Sequence, residues 1–392
     1  MRSTMSRLLP LVTILLSLSC SQVGAHAASA SFLYAKAETK RKYGSGYGFG
    51  GDARGGESGE TIEVFTKEEL ARALCNRVKD GYCLDAAPRN VILQDEVDFT
   101  TDDGIVTEPG CDNDAVKHPE CTVIKRHILN RYDSCRGRPM VQVAYSHAGV
   151  APLLVGSNKT LRGGGTIVGS GLLFRGVSNV FVSGIFIDAI NPRVAFAGAA
   201  FTVDNSTRVF IDNCTVRETG IFVRTRGRQN AFTVSNSLFY GADEYIPSCG
   251  DYHFFLWLVD SYHDRVTFYK NRVVNALGSG FSTSTPSSAI IHLICNTFVN
   301  SSMEAMVYAQ GDATVLAEGN SFRATHRAGL PFGGAVYMPR VPPDSKRCKP
   351  LIDRICLLNE ISEAQCGTDG CRTNEEVLQT FKMLDRSFLA AF

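Results

Sequence analysis

Residues 207–241 read TRVFIDNCTVRETGIFVRTRGRQNAFTVSNSLFYG, and inside them two similar runs, FIDNCTV around Asn213 and TVSNSLF around Asn236, stand 23 residues apart. The same setting returns in FYKNRVV around Asn271, LICNTFV around Asn296 and AEGNSFR around Asn320, at steps of 35, 25 and 24 residues. Apolar or β-branched residues precede most of these asparagines, and an apolar residue follows each by two or three places. An advance of about two dozen residues, built of short strands without a helical period, is the pattern of a β-solenoid whose coils bury their apolar sides on one another. The chain is therefore read as all-β, a parallel β-helix. Its asparagines are expected to stack coil upon coil, each amide bonding the next and serving backbone groups at a turn that no sheet ladder reaches. Plain turn chemistry, which favours Asn in any β protein, is the competing reading. The near-constant apolar place after each Asn favours the stack.

The 35-residue step coincides with an excursion, GADEYIPSCGD from Gly241 to Asp251, and loops that leave a solenoid on one face usually build its binding face. Upstream, a glycine-rich stretch from Gly44 to Gly56 leads into TIEVFTKEELARAL, a strand followed by a helix that Thr66 and Glu69 open as a capping box. Such a helix suits the open end of a solenoid, which would otherwise expose its core and strand edges. At the other end Thr373 and Glu376 form a second capping box before VLQTFKMLDRSFLAAF, whose Val377, Phe381, Leu384 and Phe388 share one helical face. That face is expected on the barrel rather than on a membrane or a partner. Cys348, Cys356, Cys366 and Cys371 lie between, at intervals too irregular for a zinc site, and are expected in disulfides that tie the tail down.

Arg2 and Arg7 precede an apolar run from Leu8 to Leu18, and Ala25, Ala27 and Ala30 follow, as in a signal peptide over residues 1–27. The run is about half of the roughly 20 residues that span a bilayer, so secretion is expected and membrane insertion is not. Setting Cys20 aside from the 13 cysteines leaves an even number, suited to an oxidising compartment. Asn158, Asn205, Asn213 and Asn300 are glycosylation sequons there. Without Arg2 and Arg7 the chain carries 38 basic against 39 acidic residues, a balance that does not suggest nucleic acid. The β-helix domain is placed at residues 28–340 and the Cys-rich tail with its terminal helix at 341–392. The chain is expected to be a monomer.

Five further runs carry a resemblance, in order along the chain: EVDFTTDDGIVTEPGC at 96–111, YSHAGVAPLLVGSNKTLRG at 145–163, DAINPRV at 188–194, CGDYHFFLWLVD at 249–260 and VLAEGNSF at 315–322. Each is similar to a segment of the secreted pectin lyases of fungi and oomycetes, in the pectate lyase superfamily, over roughly residues 45–340. The resemblance implies a right-handed parallel β-helix, secretion and a groove for homogalacturonan, the pectin backbone of plant cell walls. The family's reaction is β-elimination of the methyl-esterified polymer. The resemblance also implies disulfides Cys111–Cys135 and Cys121–Cys249. Cys75 and Cys83 are close enough to pair locally, while Cys214 and Cys295 read as buried thiols within strands.

Elimination across C4 and C5 of a galacturonate removes a weakly acidic proton beside a carboxyl or ester carbon, so a base and a cation must converge. Carried over position by position, the family's aspartate falls on Ala199 in AGAAF, its cationic arginine on Ile221 in TGIFVRTRG and its presumed base near Ser279 in ALGSGFSTSTP, with the companion lysine near Ser282 or Thr283. No aspartate pair suits calcium either, and no metal or other cofactor is expected. Substitutes are sought among Arg217, Arg224, Arg226 and Arg228, with Arg224 and Arg226 on one strand face opposite Val223 and Thr225. A solvated or polyanion-binding edge is the plainer reading of these arginines. Arg193, Phe254, Phe255 and Asp260 are expected to line the groove, where Phe254 and Phe255 replace a Tyr-Trp pair and Trp257 is the sole tryptophan. His253 is read as structural, and Asp243 and Glu244 as solvated. Two functions follow: a pectin-lyase-type enzyme with rearranged arginines, or a noncatalytic homologue that binds pectin fragments or a plant protein. A polygalacturonase would need paired carboxylates that these coils lack.

Overall fold

The computed structural model describes residues 47–102, 104–112, 127–241, 255–276, 279–283, 288–301, 306–325, 328–363, 366, 371 and 373–384. Successive strands of a coil fall in three different parallel sheets, as in Phe201–Asp204, Thr207–Asp212 and Thr215–Arg217. The next coil repeats them at Ile221–Arg226, Ala231–Ser235 and Leu238–Tyr240, in register with the coil before. Among the described residues the sheets hold ten, nine and eight strands and enclose one apolar core. We call them the second, third and first sheet in the order 'Thr207–Asp212, Thr215–Arg217, Phe201–Asp204'. Inside, rings stack between coils: Trp257 lies 4.6 Å from Phe268, and Phe298 lies 4.9 Å from Phe322 with the planes nearly parallel. Trp257 is thus a core residue with no exposed surface, and not part of a groove.

The polar stack exists, shifted by one residue in its first two coils. The backbone N–H of Cys214 donates to Ser237 Oγ at 3.1 Å, and that of Ser237 to Asn271 Oδ1 at 3.0 Å. Asn271 then donates both its N–H and its Nδ2 to Asn296 Oδ1, Asn296 does the same to Asn320, and Asn320 to Asn359, all within 2.9–3.0 Å. Asn213 and Asn236, expected in the stack, instead hold the left-handed residue just before it, at φ 52° and 48°. Lys270, Cys295 and Gly319 take that place in the later coils. Asn suits both places, because its short amide tolerates positive φ and also bridges backbone groups. The excursion to which the long step was assigned lies outside the described residues beyond Gly241.

The glycine-rich entry is a strap across the outer face of the second sheet. Gly50 and Gly56 donate to Thr233 Oγ1 and Thr160 Oγ1 at 3.0 and 2.9 Å, and the N–H of Phe49 reaches Thr267 Oγ1 at 3.2 Å. A Cβ on Gly56 would stand 1.8 Å from the Arg89 carbonyl oxygen, so only glycine permits this approach. The helix Lys67–Leu74 follows with the expected Thr66–Glu69 capping box.

At the far end the helix Glu375–Lys382 is capped by Asn374, not Thr373, since the Asn side chain accepts from the N–H of Glu376. Val377, Leu378 and Phe381 are fully buried against Leu316 and Tyr337, and Leu384 packs beside them. Phe388 lies outside the described residues. Disulfides Cys348–Cys356 and Cys366–Cys371 tie the tail, and Cys75–Cys83 and Cys111–Cys135 the N-terminal half. Cys214 keeps a buried free thiol, whereas Cys295, read as a thiol, is disulfide-bonded. Cys121 and Cys249 are outside the described residues.

The tail is pinned to the barrel through a charge. Glu318, fully buried, accepts from both Arg354 guanidinium nitrogens at 2.5 and 2.7 Å and from the N–H of Leu357, and contacts His292 Nε2 at 2.8 Å. Burial alone would raise this carboxyl; the Arg354 fork and His292 outweigh it and hold the pKa at about 2. Burial lowers His292, which is therefore neutral at pH 7.

Two outcomes are expected. Asn296→Ala, which strands two backbone groups, lowers stability by about 1–3 kcal/mol in denaturant titration, while Asn213→Gly is near neutral. Because the Glu318 pKa is depressed, its stabilisation is complete above the unfolded value of about 4.3 and fades as pH falls toward 2. Melting temperatures of the protein and of Glu318→Gln, measured from pH 5 to 2, should therefore converge at the acid end.

Candidate functional site: a charged row on the outer face of the first sheet

The strand Ile221–Arg226 alternates as a half-buried strand must. Val223 and Thr225 point inward with no exposed surface, and Arg224 and Arg226 point outward. Register places Arg175 opposite Asp204 and Asp204 opposite Arg226. Thr225 pairs with Val259, so Asp260 follows beside Arg226 on the next coil. The strand ends LLFR, FTVD, VRTR and WLVD thus align as a row of alternating charge, one residue per coil, about 4.8 Å apart. Arg175 and Asp204 were not singled out in the sequence; their signal was a charged residue closing four successive strands of one sheet.

The two outward arginines differ. Arg224, with 14% of its side chain exposed, donates Nη2 to Asp260 Oδ2 at 3.2 Å and to the Tyr132 hydroxyl at 2.5 Å. Tyr132 in turn donates to Asp260 Oδ2 at 2.5 Å, from a left-handed backbone at φ 54°, with its ring edge on Phe196. Arg175 likewise pairs with Asp204 at 3.0 Å. Arg226 is exposed, and among the described residues its guanidinium makes no hydrogen bond or ion pair. Enclosure by its neighbours lowers its pKa, and the adjacent Arg224 charge lowers it further.

The positions to which the family's charges were carried lie elsewhere. Ala199 and Ile221 belong to a second apolar cluster, 6% and 0% exposed, together with Leu258, Val194 and Phe196. An accessory four-stranded sheet, Ile105–Asp112, His127–Leu129, Met140–Ser146 and Val194–Ala195, supplies the rest through Cys111, Ile128 and Val143. Along the strand Arg224 and Arg226 lie three and five residues beyond Ile221, roughly 10 and 16 Å. They lie further along the same strand, so neither arginine fills the Ile221 position. Ser279 opens the strand Ser279–Thr283, in register with Phe255. The side chains of Ser279, Ser282, Thr283 and Phe255, and all of His253, Phe254, Asp243 and Glu244, are outside the described residues.

Other expected groups disperse. Arg193 is exposed beside the accessory sheet, where its carbonyl accepts from the N–H of His127. Arg217 stands on the third sheet in an ion pair with Asp188 at 2.6 Å. Arg228 lies in the turn after Arg226, its N–H on Asn205 Oδ1. Of the sequons, Asn205, Asn213 and Asn300 are exposed; the amide of Asn158 donates to Ala86, and that of Asn300 to Asn275.

The sequence is 32% identical over 385 residues to pectin lyase B of Emericella nidulans, covering 94% of this chain and 92% of that protein. The chain belongs to the pectin lyase family. Pectin lyase A of the same organism is 31% identical, over 89% of this chain and 87% of its own length, and the probable pectin lyase B of Aspergillus niger is 30% identical, over 93% of each. No family model matches. Among solved structures, the pectate lyase from Acidovorax avenae subsp. citrulli superposes with a TM-score of 0.45 at 14% identity, over 88% of each chain. The parallel β-helix of this pectin lyase family member rests on its own strand register. No helix among the described residues is long and apolar enough to cross a membrane.

Restoring the carried-over acid tests the apolar cluster. Ala199→Asp would bury a carboxylate without a partner, and we expect a loss of about 3 kcal/mol in denaturant titration, with no gain of lyase activity.

Proposed function

We propose that this protein is secreted and engages homogalacturonan along the outer face of the first sheet, with Arg226 meeting the uronate. The observation that carries this reading is the contrast within one strand: Arg224 is held by Asp260 and Tyr132, whereas Arg226 projects unpaired from a row of otherwise balanced charge. Four disulfides among the described residues suit an oxidising compartment, and residues 1–27 suit a leader removed on export. The β-helix is assigned to residues 28–340, the tail to 341–392, and glycans to the sequons Asn158, Asn205 and Asn300.

For catalysis the reading is β-elimination with Arg226 as the base. C5 and the carboxyl carbon are bonded neighbours, so a group that reaches one reaches the other. Enclosure and then the adjacent Arg224 charge lower the pKa of Arg226 and so raise the share of its neutral form, which takes the C5 proton as C4=C5 forms and the C4–O bond breaks, the leaving oxygen being protonated by water. A second reading is a homologue that binds pectin fragments or a plant protein without cleaving. The apolar burial of Ala199 and Ile221 favours it, because that stretch of the sheet offers nothing to a carboxylate.

The rise in ultraviolet absorbance from unsaturated uronide ends separates the two. On methyl-esterified pectin, with chelator present, the enzyme reading expects product that Arg226→Ala abolishes and Arg226→Lys reduces by at least about tenfold, since general-base catalysis contributes 10²–10⁴-fold. A folded chain that yields no product, yet binds pectin, establishes the binding reading.

A further inference from the structure

Arg226 sits between two aspartates that are already neutralised. One coil before it, Asp204 accepts from Arg175 Nε and from Asn205 Nδ2 at 2.7 Å; one coil after it, Asp260 accepts from Arg224 and Tyr132. Among the described residues each of these pairs sums to zero, so there the row carries one uncompensated charge, that of Arg226. Strands of neighbouring coils are about 4.8 Å apart, comparable with the advance of one hexuronate unit in an extended polymer. A chain lying along the solenoid axis would therefore set about one sugar on each coil, within reach of the field of each charged residue of the row.

We propose that the row reads the esterification pattern of homogalacturonan: Arg226 takes one free carboxylate, and Asp204 and Asp260 reject free carboxylates on the units to either side. The proposal rests on the uronate reading above and holds whether or not elimination follows. A carboxylate beside Asp204 or Asp260 meets like charge and finds its natural partner, Arg175 or Arg224, already engaged. A methyl ester in the same place brings no charge, and the ion pair stays intact. Discrimination comes from the aspartates, and attraction from the single arginine.

The test is calorimetric binding at low ionic strength, where surface charge is least screened. The intact disulfide-bonded chain is titrated with three homogalacturonan oligomers of equal length: fully de-esterified, fully methyl-esterified, and methyl-esterified except for one central free carboxylate. The last should bind tightest, and Arg226→Ala should reduce it to the level of the full ester. Asp260→Asn and Asp204→Asn each release a partly buried arginine, and each should tighten binding of the de-esterified oligomer by at least about two- to fivefold, the lower range set by exposed ion pairs. Unchanged melting temperatures keep these gains interpretable, and either variant suffices if the other is unstable. If the de-esterified oligomer binds the unaltered protein as tightly as the singly free one, the pattern inference falls; a loss with Arg226→Ala would still uphold the uronate reading. No binding of any oligomer to the folded chain overturns both.

Discussion

Everything placed on this molecule depends on one turn at which the backbone cannot satisfy itself. Between the second and third sheets the chain bends through a left-handed residue, and the N–H that follows points along the solenoid axis, where no strand waits. The next coil supplies an acceptor: Ser237 Oγ, then Asn271, Asn296, Asn320 and Asn359 Oδ1. A buried amide left alone would be expensive, so each coil is locked at one height and one register on its neighbour. A second column does the same between the first and second sheets. There the N–H of Ser206 donates to Asn230 Oδ1, and Asn230 to the buried Asp264, whose pKa burial raises to about 6. The Asn230 amide also holds the carbonyl of Arg226 at 2.8 Å, so the column fixes the backbone of the exposed cation.

Register is what turns strand-end charges into a surface. Arg175, Asp204, Arg226 and Asp260 are 22 to 34 residues apart in sequence and meet only because each coil repeats the height of the one before. The same register brings Ala199 and Ile221 together, under the accessory strands. One sheet thus has an apolar, covered stretch and a charged row in which Arg226 is exposed. Apolar residues along the covered stretch bind the accessory sheet to the solenoid; a charge placed there would loosen it. The apolar character of that stretch and the packing of the accessory sheet are the same fact seen from two sides.

The solenoid was legible because its repeat is imposed on the sequence by stacking, coil after coil. The phase of the polar column was less so: Asn213 and Asn236 look like Asn271 and Asn296, but whether the Asn itself or the residue before it takes the left-handed conformation decides which of the two places an Asn fills. The pairing of strand faces read correctly for Arg224 and Arg226, since alternation is local. Arg217, weighed as a substitute, and Trp257, the sole tryptophan, both lie away from the charged row. Arg217 follows its sheet to a different face and meets Asp188, and Trp257 falls on an inward place of its strand. Tyr132 was invisible, because a loop outside the repeat delivers it to Asp260 from 128 residues away.

The difference between Arg224 and Arg226 shows how little of a site is set by residue type. Both are arginines, both point outward, and one residue separates them. Arg224 faces the coil position of Leu258, an apolar neighbour, and folds its charge onto Asp260 and Tyr132. Arg226 aligns with Asp204, but Arg175 has already taken that carboxylate. Three arginines therefore share two aspartates, and the one left over is Arg226. Enclosure, and after it the Arg224 charge, disfavour the charged form of Arg226, and an arriving anion would offset both. A surplus cation in an otherwise balanced row is thus what makes Arg226 the proposed binding group, whatever reaction would follow at the sugar.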